Sequence, residues 1–183
     1  MKLQQNKLTI RSIQKEDLYA IWEISYQKNL EWMNWNGPYF NDPIYTWEEF
    51  KEMAEKYYVE HPLKSVILYD EEIVGMLTAG FEDGDLQCWL EFGVCIYQNA
   101  KWGKGLGFLA CKLWISYLFD LYPCIERIGC TTWSGNVRMI KLAEKLSMRL
   151  EGQIRKVRYY QNQYWDSMKY GVLREEWIQK KQR

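Results

Sequence analysis

Two hydrophobic periods alternate along the chain. Leu8 and Ile10 alternate with Thr9 and Arg11 as in a half-buried strand, and Leu18, Ile21, Trp22 and Ser25 then fall on one helical face. Thr46-Trp47-Glu48-Glu49 has the spelling of a capping box, which predicts a second helix through Phe50, Met53 and Tyr57. Ser65 to Phe81 reads as two strands around an Asp70-Glu71-Glu72 turn, and Leu86 to Tyr97 as a longer strand. Leu106, Leu109, Ala110, Leu113, Trp114, Tyr117 and Leu121 keep a helical period until Pro123 stops it. A strand over Ile125 to Trp133, a helix over Asn136 to Leu146 and a hairpin from about Leu150 to Leu173 around Gln161-Asn162-Gln163 complete the pattern. This order predicts an α/β fold: a mixed, mostly antiparallel sheet of about seven strands with helices on both faces.

The junction at residues 102–108 carries the first chemical signal. Gly103, Gly105 and Gly107 alternate between an apolar strand and the helix that opens from them. Glycine adds no Cβ to block close approach, so backbone N–H groups and the positive end of the helix dipole can meet an anion such as a diphosphate. A Walker loop requires Gly-Lys followed by Ser or Thr, and here Lys104 precedes Gly105 and Leu106. A dinucleotide fingerprint requires a glycine where Phe108 stands.

A third spelling fits better. Glu91-Phe-Gly-Val-Cys-Ile-Tyr97 followed by Lys101-Trp-Gly-Lys-Gly-Leu-Gly107 resembles the coenzyme A loop of the GNAT N-acetyltransferases, in its RimJ/RimL-like branch, with Trp102 where the general pattern has Gln or Arg. Thr131 to Trp177 and Leu8 to Leu18 resemble the second half and the opening of the same family, so nearly the whole chain is covered as one acetyltransferase domain, 1–183. The resemblance implies acetyl-CoA as co-substrate. Its diphosphate would lie on the amides of Trp102, Gly103, Lys104, Gly105, Leu106, Gly107 and Phe108, and backbone groups around Val94 and Cys95 would face the thioester. It implies Glu91 as general base and Asn136, in Ser-Gly-Asn, as a further coenzyme contact; asparagine is also a favoured helix N-cap. The positions of the family's usual general acids hold Met139 and Ala143. Tyr97, Tyr159, Tyr160 or water is left to assist the departing thiolate. Ser147 stands where a helix-ending glycine is common, which points to strain or a different cap.

The acceptor is read from residues 30–62, where the family varies. Glu31, Trp32, Trp35 and Tyr39, with Phe40, Asp42, Tyr45, Trp47, Glu48 and Glu49, place aromatic faces beside carboxylates, which suits a cationic amine. The same aromatics would equally complete a core. An α-amine, with a pKa of about 7.7–8.0, costs about 3 kcal/mol less to deprotonate at neutral pH than a side-chain amine. The RimJ/RimL resemblance points to protein N-termini, and relatives also modify polyamines and aminoglycosides. A coenzyme-binding module without turnover is a further alternative, raised by the absent acid.

Composition narrows the partners. The 24 Lys+Arg balance the 24 Asp+Glu, so there is no general attraction to nucleic acid or an anionic membrane; Arg155, Lys156, Arg158, Lys180, Lys181 and Arg183 read as a solvated hairpin face and terminus. The five cysteines show no metal spacing and read as reduced core thiols, and His61 reads as a loop residue; no metal is expected. No apolar run approaches a membrane span and the Met1 end is polar, which predicts a cytoplasmic protein. The resemblance also makes a homodimer an expectation, with no interface marked.

Overall fold

The computed structural model describes residues 1–181, with side chains through Gln179. The side chains of Lys180 and Lys181, and all of Arg183, lie outside the described residues. Eight strands form a single sheet in the order β1-β2-β3-β4-β5-β6-β8-β7. They are β1 (Lys2–Gln5), β2 (Leu8–Ser12), β3 (Lys64–Tyr69), β4 (Glu72–Phe81), β5 (Leu90–Ile96), β6 (Arg127–Trp133), β7 (Arg149–Tyr160) and β8 (Gln163–Leu173). The helices are α1 (Leu18–Trp22), α2 (Trp47–Tyr57), α3 (Leu106–Leu121), α4 (Val137–Lys145) and α5 (Arg174–Lys181). The additional strand relative to the expected count is β1, whose sequence KLQQ offers one apolar side chain and leaves three of four residues exposed. The predicted strand from Leu86 begins only at Leu90, because a 3-10 turn and Gln87 at φ 51° intervene.

The chain divides into two compact units, one comprising residues 1–78 and 94–111, the other 79–93 and 112–183. In the first unit β1, β2, β3 and β4 pair antiparallel in sequence order. Ile13, Leu18, Ile21, Phe50, Val66 and Met76 form its core. Thr46 caps α2 as predicted: its N–H donates to Glu49 Oε2 at 2.9 Å, and Glu49 N–H donates to Thr46 Oγ1 at 3.4 Å. The first helix departs from a regular period, because after Trp22 it widens into a π turn closed by Lys28 N–H on Glu23 C=O at 2.9 Å.

In the second unit β6 and β8 run antiparallel in full register from Arg127↔Leu173 to Trp133↔Ser167, and β7 pairs beyond β8 as the sheet edge. β5 meets β6 in parallel at Leu90↔Ile128 and Glu91↔Gly129. Ile128, Cys130 and Val172 are fully buried here, as are Trp114, Ile115 and Leu118. Arg174 ties down the end of α3, donating to the carbonyls of Phe119 (3.1 Å), Tyr122 (2.6 Å) and Ile125 (2.8 Å), a cation among the orphan acceptors of a helix C-terminus. The β7–β8 turn has Gln161 and Asn162 at φ 51° and 59°, as a two-residue hairpin turn requires. Ser147 takes the left-handed position (φ 56°) that ends α4, and Met148 N–H reaches back to Ala143 C=O at 2.9 Å. Most of β7 is exposed, and its ladder is broken by a bulge between Ile154 and Arg158 with Lys156 at φ 56°.

Candidate active site

In the first unit, β5 leads into a single 3-10 turn, Asn99–Lys101, and then into the glycines. Gly103 and Gly105 both adopt left-handed backbone, φ 74° and 79°, and a Cβ built on either meets nothing within 4 Å. Leu109 N–H bonds Gly105 C=O at 3.1 Å, which makes Gly105 the N-cap of a 16-residue helix. The amides of Leu106 and Gly107 therefore precede the i→i−4 ladder. Open space over a helix start bordered by glycines fits a diphosphate. Lys104 stands exposed between the two left-handed glycines. Trp102 anchors the turn. Its indole N–H donates to Ile96 C=O at 2.7 Å and its ring packs on the first unit's core, so it ties the glycine turn to β5.

Val94 and Cys95 lie past the two positions at which β5 pairs with β6. β4 approaches β5 closely here, since a Cβ on Gly75 would sit 2.2 Å from Cys95 C=O. Burial pushes the Cys95 thiol up, leaving it unreactive as a thiolate.

The residues expected from the sequence to meet the acceptor separate by burial. Trp32 is 8% exposed, donates its indole N–H to Ser25 C=O at 2.7 Å and packs edge-on against Tyr26 and Tyr97. Its ring completes the core. Trp35 and Tyr39 are half-buried, the Tyr39 ring lying tilted against exposed Phe40 with centroids 4.7 Å apart. Glu31 is exposed, and its Oε2 accepts from Asn99 Nδ2 at 2.9 Å in the turn that enters the glycines. Its Oε1 accepts no bond among the described residues. The same turn is held from the β3–β4 side by Gln98 Nε2 on Glu72 Oε1 (2.9 Å) and Lys101 Nζ at 3.8 Å from Glu72 Oε2.

In the second unit, Glu91 is 8% exposed and both its oxygens are engaged. Trp89 Nε1 donates to Oε1 at 3.0 Å, Thr131 Oγ1 donates to Oε2 at 2.5 Å, and Arg127 Nη2 lies 3.7 Å from Oε1. Arg127 in turn pairs with Glu151 at 2.6 Å, and Lys169 Nζ donates to Thr131 Oγ1 at 3.1 Å. Two facing glycines make room for this cluster. Gly129 pairs with Gly171 across β6 and β8; a Cβ on Gly129 would lie 2.3 Å from the Arg127 guanidinium, and one on Gly171 would lie 2.2 Å from the Glu151 carboxylate. Trp89, Arg127, Thr131 and Lys169 carry no motif that marks them in the sequence; the signal for them is a glycine in the middle of each of two apolar strands.

Asn136 is the N-cap of α4, its Oδ1 accepting from Met139 N–H at 3.0 Å. Ala143 is fully buried, so that face of α4 offers core rather than an acid. Among the tyrosines weighed as donors, Tyr97 is buried against Trp32 and its phenol is raised far above its ordinary value, chiefly by desolvation; Tyr159 is exposed, and Tyr160 packs edge-on against Trp133. The core-thiol expectation holds for Cys111 and Cys130; Cys88 and Cys124 are instead exposed, on loops outside the strand and helix patterns. No cluster of metal-ligating side chains exists among the described residues, and no helix there is long and apolar enough to cross a membrane.

Residues 7–149 match the profile of the acetyltransferase (GNAT) domain, and the chain belongs to that family. It is 26% identical over 179 residues to the uncharacterised N-acetyltransferase YnaD of Bacillus subtilis, covering 97% of this chain and 99% of that protein. YdaF of the same organism, named as a candidate ribosomal N-acetyltransferase, is 24% identical over 174 residues, 93% of each chain. Among solved structures, a GNAT-family acetyltransferase from Bacillus anthracis superposes with a TM-score of 0.77 at 23% identity, covering 96% of this chain and all of that one. Spermidine N-acetyltransferase from Vibrio cholerae, solved with CoA and spermine, gives 0.76 at 18% identity, over 95% of this chain and 99% of that one.

Proposed function

We propose that the chain is one acetyl-CoA-dependent N-acetyltransferase domain that acts on a primary amine by direct attack. The observation that carries this reading is the open, glycine-bordered start of α3, with Gly103 and Gly105 at positive φ and no protein atom where a Cβ would project. Bound there, acetyl-CoA supplies an activated acetyl thioester. The Trp102 amide already donates to Asn99 C=O at 2.9 Å, so the amides from Gly103 to Phe108 hold the diphosphate; Lys104 adds a charge beside it, and backbone donors near Val94 and Cys95 polarise the carbonyl. Asn136 adds a coenzyme contact to its capping role. Glu91 takes the proton of the attacking amine, directly or through a water, using the lone pairs left by Trp89 and Thr131. A thiolate leaves with less proton assistance than an alkoxide, and water provides it where Met139 and Ala143 cannot.

The favoured acceptor is a protein or peptide α-amine, in keeping with the RimJ/RimL-like spelling of the loop and a cytoplasmic setting. A small amine of polyamine or aminoglycoside type is the second reading, favoured by exposed Glu31 with one uncommitted oxygen, and by Trp35 and Tyr39 nearby in sequence. Acetyl-CoA thiol release against short peptides with free α-amines, and separately against polyamines and aminoglycosides, tests both. Release with peptides supports the first acceptor and release confined to small amines the second. Coenzyme binding with no amine-dependent release in either pool refutes turnover and leaves a binding module.

A further inference from the structure

The polar cluster around Glu91 has a direction built into it. Glu91, on β5, sits opposite Gly129 of β6, and the side chains two residues either way along β6, Arg127 and Thr131, flank its carboxylate. Thr131 is itself opposite Lys169 of β8, whose Nζ lies 3.1 Å from the Thr131 hydroxyl oxygen. An ammonium can only donate, so that contact consumes a lone pair of the hydroxyl, and its single proton is left for Glu91 Oε2 at 2.5 Å. We propose that Thr131 is a positioning residue: its hydroxyl, turned by Lys169, fixes the Glu91 carboxylate in one orientation. The catalytic consequence rests on the reading of Glu91 as the base.

The remaining charges facing Glu91 are Arg127, from β6, and Glu151 of β7, which neutralises much of Arg127 at 2.6 Å. Trp89, on the residues leading into β5, closes the other oxygen through its indole N–H. With Arg127 shared between two carboxylates, the Thr131 hydroxyl is the shortest donor Glu91 has. Thr131 is exposed on a strand, so Thr131→Val keeps the branched shape and the fold while removing the donor.

The test is carbon-13 NMR at fixed neutral pH on the protein labelled at glutamate side-chain carboxyls, with the Glu91 signal identified by its disappearance in Glu91→Gln. Thr131→Val is expected to displace the Glu91 carboxyl resonance, because its shortest donor is gone. Thr131→Ser is expected to restore it. An unmoved resonance in Thr131→Val overturns the proposal. Lys169→Met should displace the resonance in the parent protein and displace it less in a Thr131→Val background; equal displacements would show the ammonium acting directly on the carboxylate and overturn the directional role. Thiol release by Glu91→Gln is read separately. Full activity there removes Glu91 as base while the NMR result stands, and an unmoved resonance beside an inactive Glu91→Gln removes Thr131 alone.

Discussion

Gly105→Ala and Gly84→Ala form a matched pair that separates backbone strain from ligand obstruction. Gly105 has φ 79° and Gly84 has φ 60°, and a Cβ on either meets no atom within 4 Å. An alanine forced into left-handed backbone costs about 1–2 kcal/mol at either place. In a chain of this size each kcal/mol lowers Tm by about 2–4 °C. Thermal melts should therefore fall by a few degrees in both variants. Only at residue 105 does the methyl group project into the space assigned to the diphosphate. Loss of one hydrogen bond from an amide to a charged phosphate, about 1.5–3 kcal/mol, weakens affinity roughly 10- to 100-fold. Calorimetric titration with CoA should show that loss in Gly105→Ala and none in Gly84→Ala. Equal, undiminished affinity in the two would refute the assignment of the α3 start as the coenzyme site, whatever the melts show.

Three further outcomes follow from the geometry. Trp102→Phe keeps a ring in the core and deletes the bond to Ile96, so it should cost about 1 kcal/mol of stability in urea and raise KM for acetyl-CoA with kcat little changed. Gly75→Ala presses a methyl onto the backbone oxygen of Cys95, at 2.2 Å, and should cost about 3 kcal/mol or more, whereas Gly129→Ala first meets the side-chain end of Arg127, which can shift at the expense of its ion pairs, and should cost less; urea melts distinguish them. His61 accepts from Leu63 N–H through Nδ1 at 3.1 Å, and burial, then Lys64, hold its pKa below the ordinary 6.5. A depressed histidine contributes stability that is complete above its unfolded value and is lost as pH falls through the folded one. Proton NMR of the single histidine should titrate below pH 6.5, and replacement by Gln should flatten stability over that range.

Local rules carried much of the architecture. The apolar period and Pro123 located α3, the Thr46–Glu49 spelling located the start of α2, and paired polar residues located both long hairpin turns. β1 escaped because an exposed edge strand needs no apolar alternation. The π turn after Trp22 changes a hydrogen bond by one residue without disturbing the burial of Ile24 and Ser25, so no pattern reveals it. In the candidate site the glycine turn was legible because glycine spacing is itself the mechanism. Trp32 was not, since a loop tryptophan that fills a core and one that lines a pocket have the same sequence context. The company kept by Glu91 depends on Gly129 facing Gly171, and strand register between segments some forty residues apart is a property of the sheet rather than of either segment.

The exposed edge strand β7 carries a solubility problem and its solution together. Twelve residues of sheet edge, with Leu150, Ile154 and Val157 each about half exposed, would template strand pairing between molecules in a crowded solution. Arg155, Lys156 and Arg158 sit in that stretch, and the bulge at Lys156 turns the backbone out of line where an incoming strand would have to register. Neutralising the exposed Arg155 and Lys156 while keeping the apolar residues would convert the edge into a nucleus for aggregation.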